Sequence, residues 1–188
     1  KKEIILNEAA KIFAQYGLAK TTVDDIASAS RMGKASLYHY FPGKEEIYRQ
    51  VVERENVCLK EKVKQLMDRE SSPQSKIKVY IVNGLKYLAR FRNLRSALKD
   101  KSLDHYQFIK DIRSKFFHNE VETVREILEQ GMKSGAFKKM DTKFTSFVVA
   151  VTLKGLLEHP RSVSASQSEK EKYIDKLADL LFDGITER

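Results

Sequence analysis

Few of the 188 residues carry groups that could do covalent chemistry, and their spacing does not assemble them. His118 and Glu122 stand at i, i+4 on one helical face, a spacing that can hold a metal, but two ligands without a third leave the site incomplete. His105 and His159 have no partner near them in the chain, and the single Cys58 lies beside Asn56 and Lys60 with no histidine. There is no glycine-rich phosphate loop and no Ser-His-Asp order. No catalytic residue, metal site or cofactor is therefore expected, and the chain does not read as an enzyme. What the sequence does offer is recognition chemistry. Lys34, Ala35, Ser36 and His39 are the outward positions of a short helical stretch, and they are small, polar or basic. A helix entering the DNA major groove needs such a face, because a bulky or acidic one would clash with or repel phosphate.

The elements that must position this face follow from composition and period. Hydrophobic residues make up 41% and charged residues 32%, with 8 Gly and 3 Pro, which argues for a globular chain and against disorder. One cysteine cannot form an intrachain disulfide and no secretory segment is visible, so a cytoplasmic location is expected. The longest apolar runs, such as Phe147-Val-Val-Ala-Val151, fall far short of the roughly 18 residues that span a bilayer, so no membrane partner is expected. The chain starts at Lys1 rather than Met, so a short preceding leader is expected, with room for a basic arm. The net charge of +9 points to a polyanionic partner. Residues 1–50 hold 8 basic and 6 acidic groups (8 − 6 = +2), whereas 76–115 hold 11 and 3 (11 − 3 = +8), so the surplus lies mid-chain.

The 3.6-residue period recurs almost throughout, which predicts an all-α fold. A first helix is expected from about Lys2 to Tyr16, stopped by Gly17; a second is capped by Thr22 and ends near Ala29; a third runs from about Lys34 to Tyr40 and stops at Phe41-Pro42-Gly43. Longer helices follow over about 44–69, 74–92, 103–132 and 142–158, and a last one over 168–184. The helix at 142–158 is apolar nearly all round and needs cover on two sides. Three short helices ahead of longer ones predict a small domain, residues 1–45, on a larger helical one, residues 46–188. Ile26, Ala27, Met32 and Leu37 are the apolar and small positions by which the two short helices pack closely on the first.

Thr22-Val-Asp-Asp-Ile-Ala27, then Gly33-Lys-Ala-Ser-Leu-Tyr-His-Tyr-Phe41 and Lys44-Glu45-Glu46, resemble the amino-terminal helix-turn-helix of the tetracycline-repressor (TetR) family of bacterial transcription regulators. Val124-Arg-Glu-Ile-Leu-Glu-Gln-Gly-Met-Lys-Ser-Gly-Ala-Phe137 is similar, more weakly, to the end of that family's long ligand-domain helix. The resemblance places Lys34, Ala35 and Ser36 against base edges or nearby phosphates and Tyr38 and His39 on the DNA backbone. It places Thr22 and Lys44 at helix starts where phosphate is welcome. Tyr40 and Phe41 are expected in the core, with Leu37. Two positions depart from the family's pattern, which has Gly in the turn where this chain has Arg31, and Ser or Thr as the cap where it has Gly33. An Arg held at positive φ costs roughly 1–2 kcal/mol, so either the turn has another conformation or Arg31 offsets the cost through a phosphate contact.

The resemblance further implies a larger domain that binds a small-molecule inducer and forms a homodimer through the helices near 142–158 and 168–184. A mostly apolar site is expected around Tyr80, Gly84, Tyr87, Leu88, Tyr106, Phe116 and Phe117, although Gly84 could equally serve close helix packing. The basic cluster Arg90, Arg92, Arg95, Lys99 and Lys101 is either a solvated face or an attractor for an anionic head group or a second stretch of DNA. The implied function is a transcriptional regulator of repressor type that binds a near-palindromic double-stranded operator and is released by a small, mostly apolar ligand. The alternative is a helical small-molecule-binding protein without specific operator binding.

Overall fold

The computed structural model describes residues 1–158 together with 172, 176, 179 and 180. The expected last helix, over 168–184, lies outside these but for those four positions. Every element among the described residues is helical, as the periodicity predicts. They divide into two compact units, one of residues 1–59 with 88–112 and the other of residues 60–87 with 113–188.

In the first unit, α1 (Lys2–Lys20) buries Ile5, Ala9 and Phe13 at i, i+4 spacing. Gly17 interrupts it with φ 78°, as a helix-stopping glycine does, and the chain makes one further turn that seats Leu18 in the core. In α2 (Val23–Ala29) the start is a reciprocal capping box: the Thr22 hydroxyl accepts from the Asp25 amide at 3.1 Å and the Asp25 carboxylate accepts from the Thr22 amide at 2.8 Å. The short α3 (Lys34–Tyr38) ends two residues earlier than expected, with Leu37 and Phe41 fully buried beneath it. Helix α1 packs on α2, and α2 on α3.

Helix α4 (Lys44–Met67) presents Ile47, Tyr48, Val51 and Val52 to the first unit and continues past residue 59 into the second. Next comes α5 (Pro73–Leu88), whose first residue is proline, a place where the missing amide hydrogen does no harm. The expected helix over 74–92 ends four residues early, and a further helix that was not expected follows it. The chain turns after Leu88 and restarts as α6 (Arg92–Lys99), whose third amide, on Leu94, donates to the Glu55 carboxylate at 2.7 Å. Asn93, 2% exposed, ties the unit together: its side-chain amide donates to Glu55 and to the Ala10 carbonyl, and its own carbonyl accepts from Tyr48. Burial pushes the Glu55 carboxyl upward, against these hydrogen bonds, which pull it down.

A 3-10 turn (Lys101–Leu103) leads to α7 (Gln107–Lys133). In the second unit the end of α7 wraps over a glycine. The Gly131 carbonyl accepts from the Ala136 and Phe137 amides, Gly135 takes φ 74°, and the Phe137 ring lies where a Cβ on Gly131 would stand, 2.0 Å away. Helix α8 (Thr142–Glu158) buries Val149, Ala150 and Leu153 and exposes Phe144, Phe147, Val148 and Val151. Among the described residues its apolar surround is thus covered on one side only.

Candidate nucleic-acid interface

The α2–α3 connection is built around a residue of unusual backbone geometry. The Met32 amide donates to the Ala27 carbonyl at 2.9 Å and the Arg31 amide to the Ser28 carbonyl at 3.0 Å, with Arg31 between them at φ 53°. This is a Schellman closure of α2 in which arginine holds the left-handed position that such closures usually give to glycine. The turn therefore keeps the geometry of a glycine turn, and Arg31 bears the backbone cost, with its side chain exposed. Gly33 caps α3 at φ −70° with no side-chain hydrogen bond, an extended conformation open to any residue.

Lys34, Ala35, Ser36, Tyr38 and His39 are all exposed, Tyr38 to 48%, while Leu37 between them is fully buried. Lys34 donates to the Asp24 carboxylate at 2.9 Å, and that hydrogen bond, with the nearby negative charge, raises the lysine's pKa. The His39 ring stands edge-on to Tyr40, their centroids 5.4 Å apart. Thr22 is exposed at the start of α2, but its hydroxyl also donates to Asp25 at 2.7 Å; these bonds lower the Asp25 pKa.

Lys44 departs from the expectation of a side chain offered to phosphate. Its ammonium donates to the carbonyls of Leu18, Ala19 and Thr21 at 3.1, 3.3 and 2.8 Å. The chain's reversal at Gly17 leaves those carbonyls without helical partners, and a cation at the negative end of α1 satisfies them. Lys44 is thus a tie between α4 and α1.

Of the residues expected at a small-molecule site, Tyr80, Gly84, Tyr87, Phe116 and Phe117 belong to the second unit and Leu88 and Tyr106 to the first. Tyr80 is buried and donates to Glu120 at 2.6 Å. Burial, then the neighbouring carboxylate, push the phenol well above its usual range, and burial raises the Glu120 carboxyl. A Cβ on Gly84 would meet nothing within 4 Å, so this glycine does not serve close packing. Lys62 lies over the Tyr87 ring, and Phe117 stacks edge-on against Phe147. Leu88 is buried, Phe116 is half-buried, and Tyr106 stacks with His105 and Phe108.

Sequence reasoning missed Glu120. The signal was a charged residue on the inward row Phe116, Glu120, Val124, Ile127 of α7. The basic cluster falls on and around α6, in the unit that also holds α2 and α3, with Arg90, Arg92 and Lys101 exposed. No group of three or more His, Cys, Asp or Glu among the described residues could hold a metal ion, and no described helix is long and apolar enough to cross a membrane.

A short exposed helix with a basic first residue, set on a tightly closed turn over a buried leucine, defines a helix-turn-helix DNA-binding protein. Residues 5–51 match the family described as "Bacterial regulatory proteins, tetR family". The amino-terminal segment of the chain is thus of the type found in that family of transcriptional regulators.

The chain is 27% identical over 153 residues, 79% of this chain and 78% of the relative, to the HTH-type transcriptional regulator YhgD of Bacillus subtilis. Over 52 residues it is 44% identical to the biofilm operon icaADBC negative transcriptional regulator IcaR of Staphylococcus epidermidis, covering 28% of each chain. A solved transcriptional regulator from Cytophaga hutchinsonii superposes with TM-score 0.76 at 28% identity over 98% of both chains. The regulator FadR of Bacillus subtilis, solved in complex with stearoyl-CoA, shares the fold with TM-score 0.76 at 18% identity, covering 98% of this chain and 99% of its own.

Proposed function

We propose that the protein is a ligand-responsive transcriptional repressor that binds a near-palindromic operator as a homodimer. The observation that carries this reading is α3, which exposes Lys34, Ala35, Ser36, Tyr38 and His39 over a fixed turn. Lys34, Ala35 and Ser36 read base edges or adjacent phosphates in the major groove, and Tyr38, His39, Thr22 and Arg31 contact the backbone. Lys44 acts by holding α4 to α1. The DNA-binding part is residues 1–45, supported by residues 46–188.

Dimerisation uses the uncovered α8 face of Phe144, Phe147, Val148 and Val151, continued by residues 168–184. An isologous contact between two such faces removes apolar surface from water and gives the two-fold symmetry that a palindrome requires. The regulating ligand is small and mostly apolar and is held near Tyr80, Gly84, Tyr87, Leu88, Tyr106, Phe116 and Phe117. Support comes from the aromatic character of these residues and from FadR, a chain of the same fold solved with an acyl ligand. Ligand and DNA then weaken each other by the same factor.

Selection of bound duplexes from a random library at near-physiological salt tests the reading. A recovered palindrome with half-sites about one helical turn, roughly 34–36 Å, apart supports it. Recovery of nothing above background would instead favour a helical small-molecule-binding protein without an operator.

A further inference from the structure

Among the described residues many surface ion pairs join residues one turn apart on the same helix, such as Glu8–Lys11, Glu46–Arg49, Lys64–Asp68 and Glu122–Arg125. Such pairs need no explanation beyond helix geometry. Asp24–Lys34, like Glu3–Arg54 between α1 and α4, is different. It joins α2 to α3 across the turn, at 2.9 Å, with both side chains more than half exposed. Asp24 suits the positive first turn of α2, but Lys34 is not placed by the needs of its own helix. The carboxylate that completes the cap of α2 is Asp25, not Asp24. Lys34 opens α3 with a positive charge at the positive end of the helix, where a cation is unfavourable. The arrangement also sets a carboxylate, paired only with Lys34 among the described contacts, on the face that meets a polyanion. Both features weaken binding to an arbitrary phosphate backbone, which depends almost wholly on charge.

We propose that Asp24 is a specificity-determining residue, which holds the Lys34 ammonium away from phosphate and yields it to a duplex that offers base-edge acceptors at the groove floor. This rests on the DNA-binding reading above. On a random sequence Lys34 stays with Asp24 and contributes no phosphate contact. On an operator, closer docking of α3 brings acceptors such as guanine O6 and N7 within reach of the ammonium. Asp24 remains beside it and limits the directions in which it can point. The charge is thereby spent on sequence rather than on backbone.

The test compares wild type, Asp24→Asn, Lys34→Gln and the double variant on two probes. One is the duplex that the wild-type protein recovers from a random library, and the other is a scrambled duplex of equal length and composition. Asp24→Asn is expected to tighten binding to the scrambled duplex about threefold to tenfold and to steepen its dependence on salt by about 0.9 in log–log slope, the signature of one added phosphate contact. Affinity for the recovered duplex should rise less, so that the ratio of the two affinities falls. In the Lys34→Gln background Asp24→Asn should leave the slope unchanged.

Equal tightening on both probes would overturn the proposal, as would a slope that steepens equally without Lys34, because Asp24 would then be only a repelling charge. A lowered thermal midpoint with an unchanged affinity ratio would make the pair merely structural, and would also overturn it. If the wild type prefers no duplex, the DNA-binding reading itself falls and the proposal falls with it, an outcome visible before any variant is made.

Discussion

Replacing Arg31 with glycine should stabilise the protein while weakening its grip on DNA. Arg31 sits at φ 53°, where an L-residue pays roughly 1–2 kcal/mol relative to its ordinary conformations. Glycine relieves that strain but loses more chain entropy on folding, about 0.5–1 kcal/mol. The difference leaves Arg31→Gly more stable by about 0.5–1 kcal/mol. For a chain of this size that is a rise in melting midpoint of roughly 1–4 °C. Arg31→Ala removes the same charge but keeps the strain, so its stability should stay within about 0.5 kcal/mol of wild type. Urea titration of the three proteins, at constant m-value, reads the difference directly. If Arg31 contacts phosphate, both variants should lose about 0.9 from the salt slope of duplex binding, and by equal amounts. The reasoning is refuted if glycine and alanine give the same midpoint, or if glycine is the less stable of the two. Either result would mean that the turn stores no strain at this residue.

Four other outcomes are expected. Lys44→Met should cost about 1–2 kcal/mol of stability in urea titration through loss of charged hydrogen bonds to three carbonyls, while Lys34→Met, on an exposed pair, should leave the midpoint almost unchanged. Gly131→Ala should destabilise by about 1–3 kcal/mol, because a methyl there meets the Phe137 ring at 2.0 Å; chemical denaturation monitored by far-UV circular dichroism measures it. Phe144→Asp, on the exposed face of α8, should weaken self-association by roughly 30-fold, about 2 kcal/mol, as read by sedimentation velocity across a dilution series. Glu120→Gln should raise thermal stability at neutral pH. Burial lifts the folded-state pKa of Glu120 above its usual 4.5, so the folded protein binds the proton more tightly and stability falls as pH rises from 4.5 through that raised value. The advantage of glutamine should therefore shrink as the pH is lowered toward 4.5.

The parts of the fold that sequence reasoning reached were those with local causes. Thr22 caps, Gly17 and Gly135 stop, and Pro42-Gly43 and Ser72-Pro73 punctuate, all through their own backbones and nearest neighbours. The exposed positions of α3 were legible for the same reason, since Leu37 alone had to turn inward. Arg31 was legible as an anomaly, and the structure shows that the backbone keeps the glycine geometry at arginine's expense.

What escaped has distant causes. The break between α5 and α6 carries no glycine or proline, and the stripe Ile81, Leu85, Leu88, Phe91 runs across it in phase. Its cap comes from Glu55, thirty-nine residues upstream of Leu94. The partners of Lys44 lie 23 to 26 residues before it, at carbonyls whose availability depends on how Gly17 turns the chain. Glu120 was a polar letter in an apolar row, and its partners Tyr80 and Lys60 come from other helices.

The passage of α4 from one compact unit into the other has a practical consequence. The chain moves between the units after residues 59, 87 and 112, and α4 and α7 run unbroken through two of those points. A cut at the remaining crossing, in the turn after Leu88, would part residues 88–112 from α5 but leave α4 and α7 whole, so limited digestion should not release a folded DNA-reading fragment. A segment ending near residue 45 would leave behind Asn93, Leu94 and Ile109, which complete the core on which α1 rests. Transplanting a different reading head onto this protein would therefore require two grafts, one at the amino terminus and one across residues 88–112, rather than a single splice.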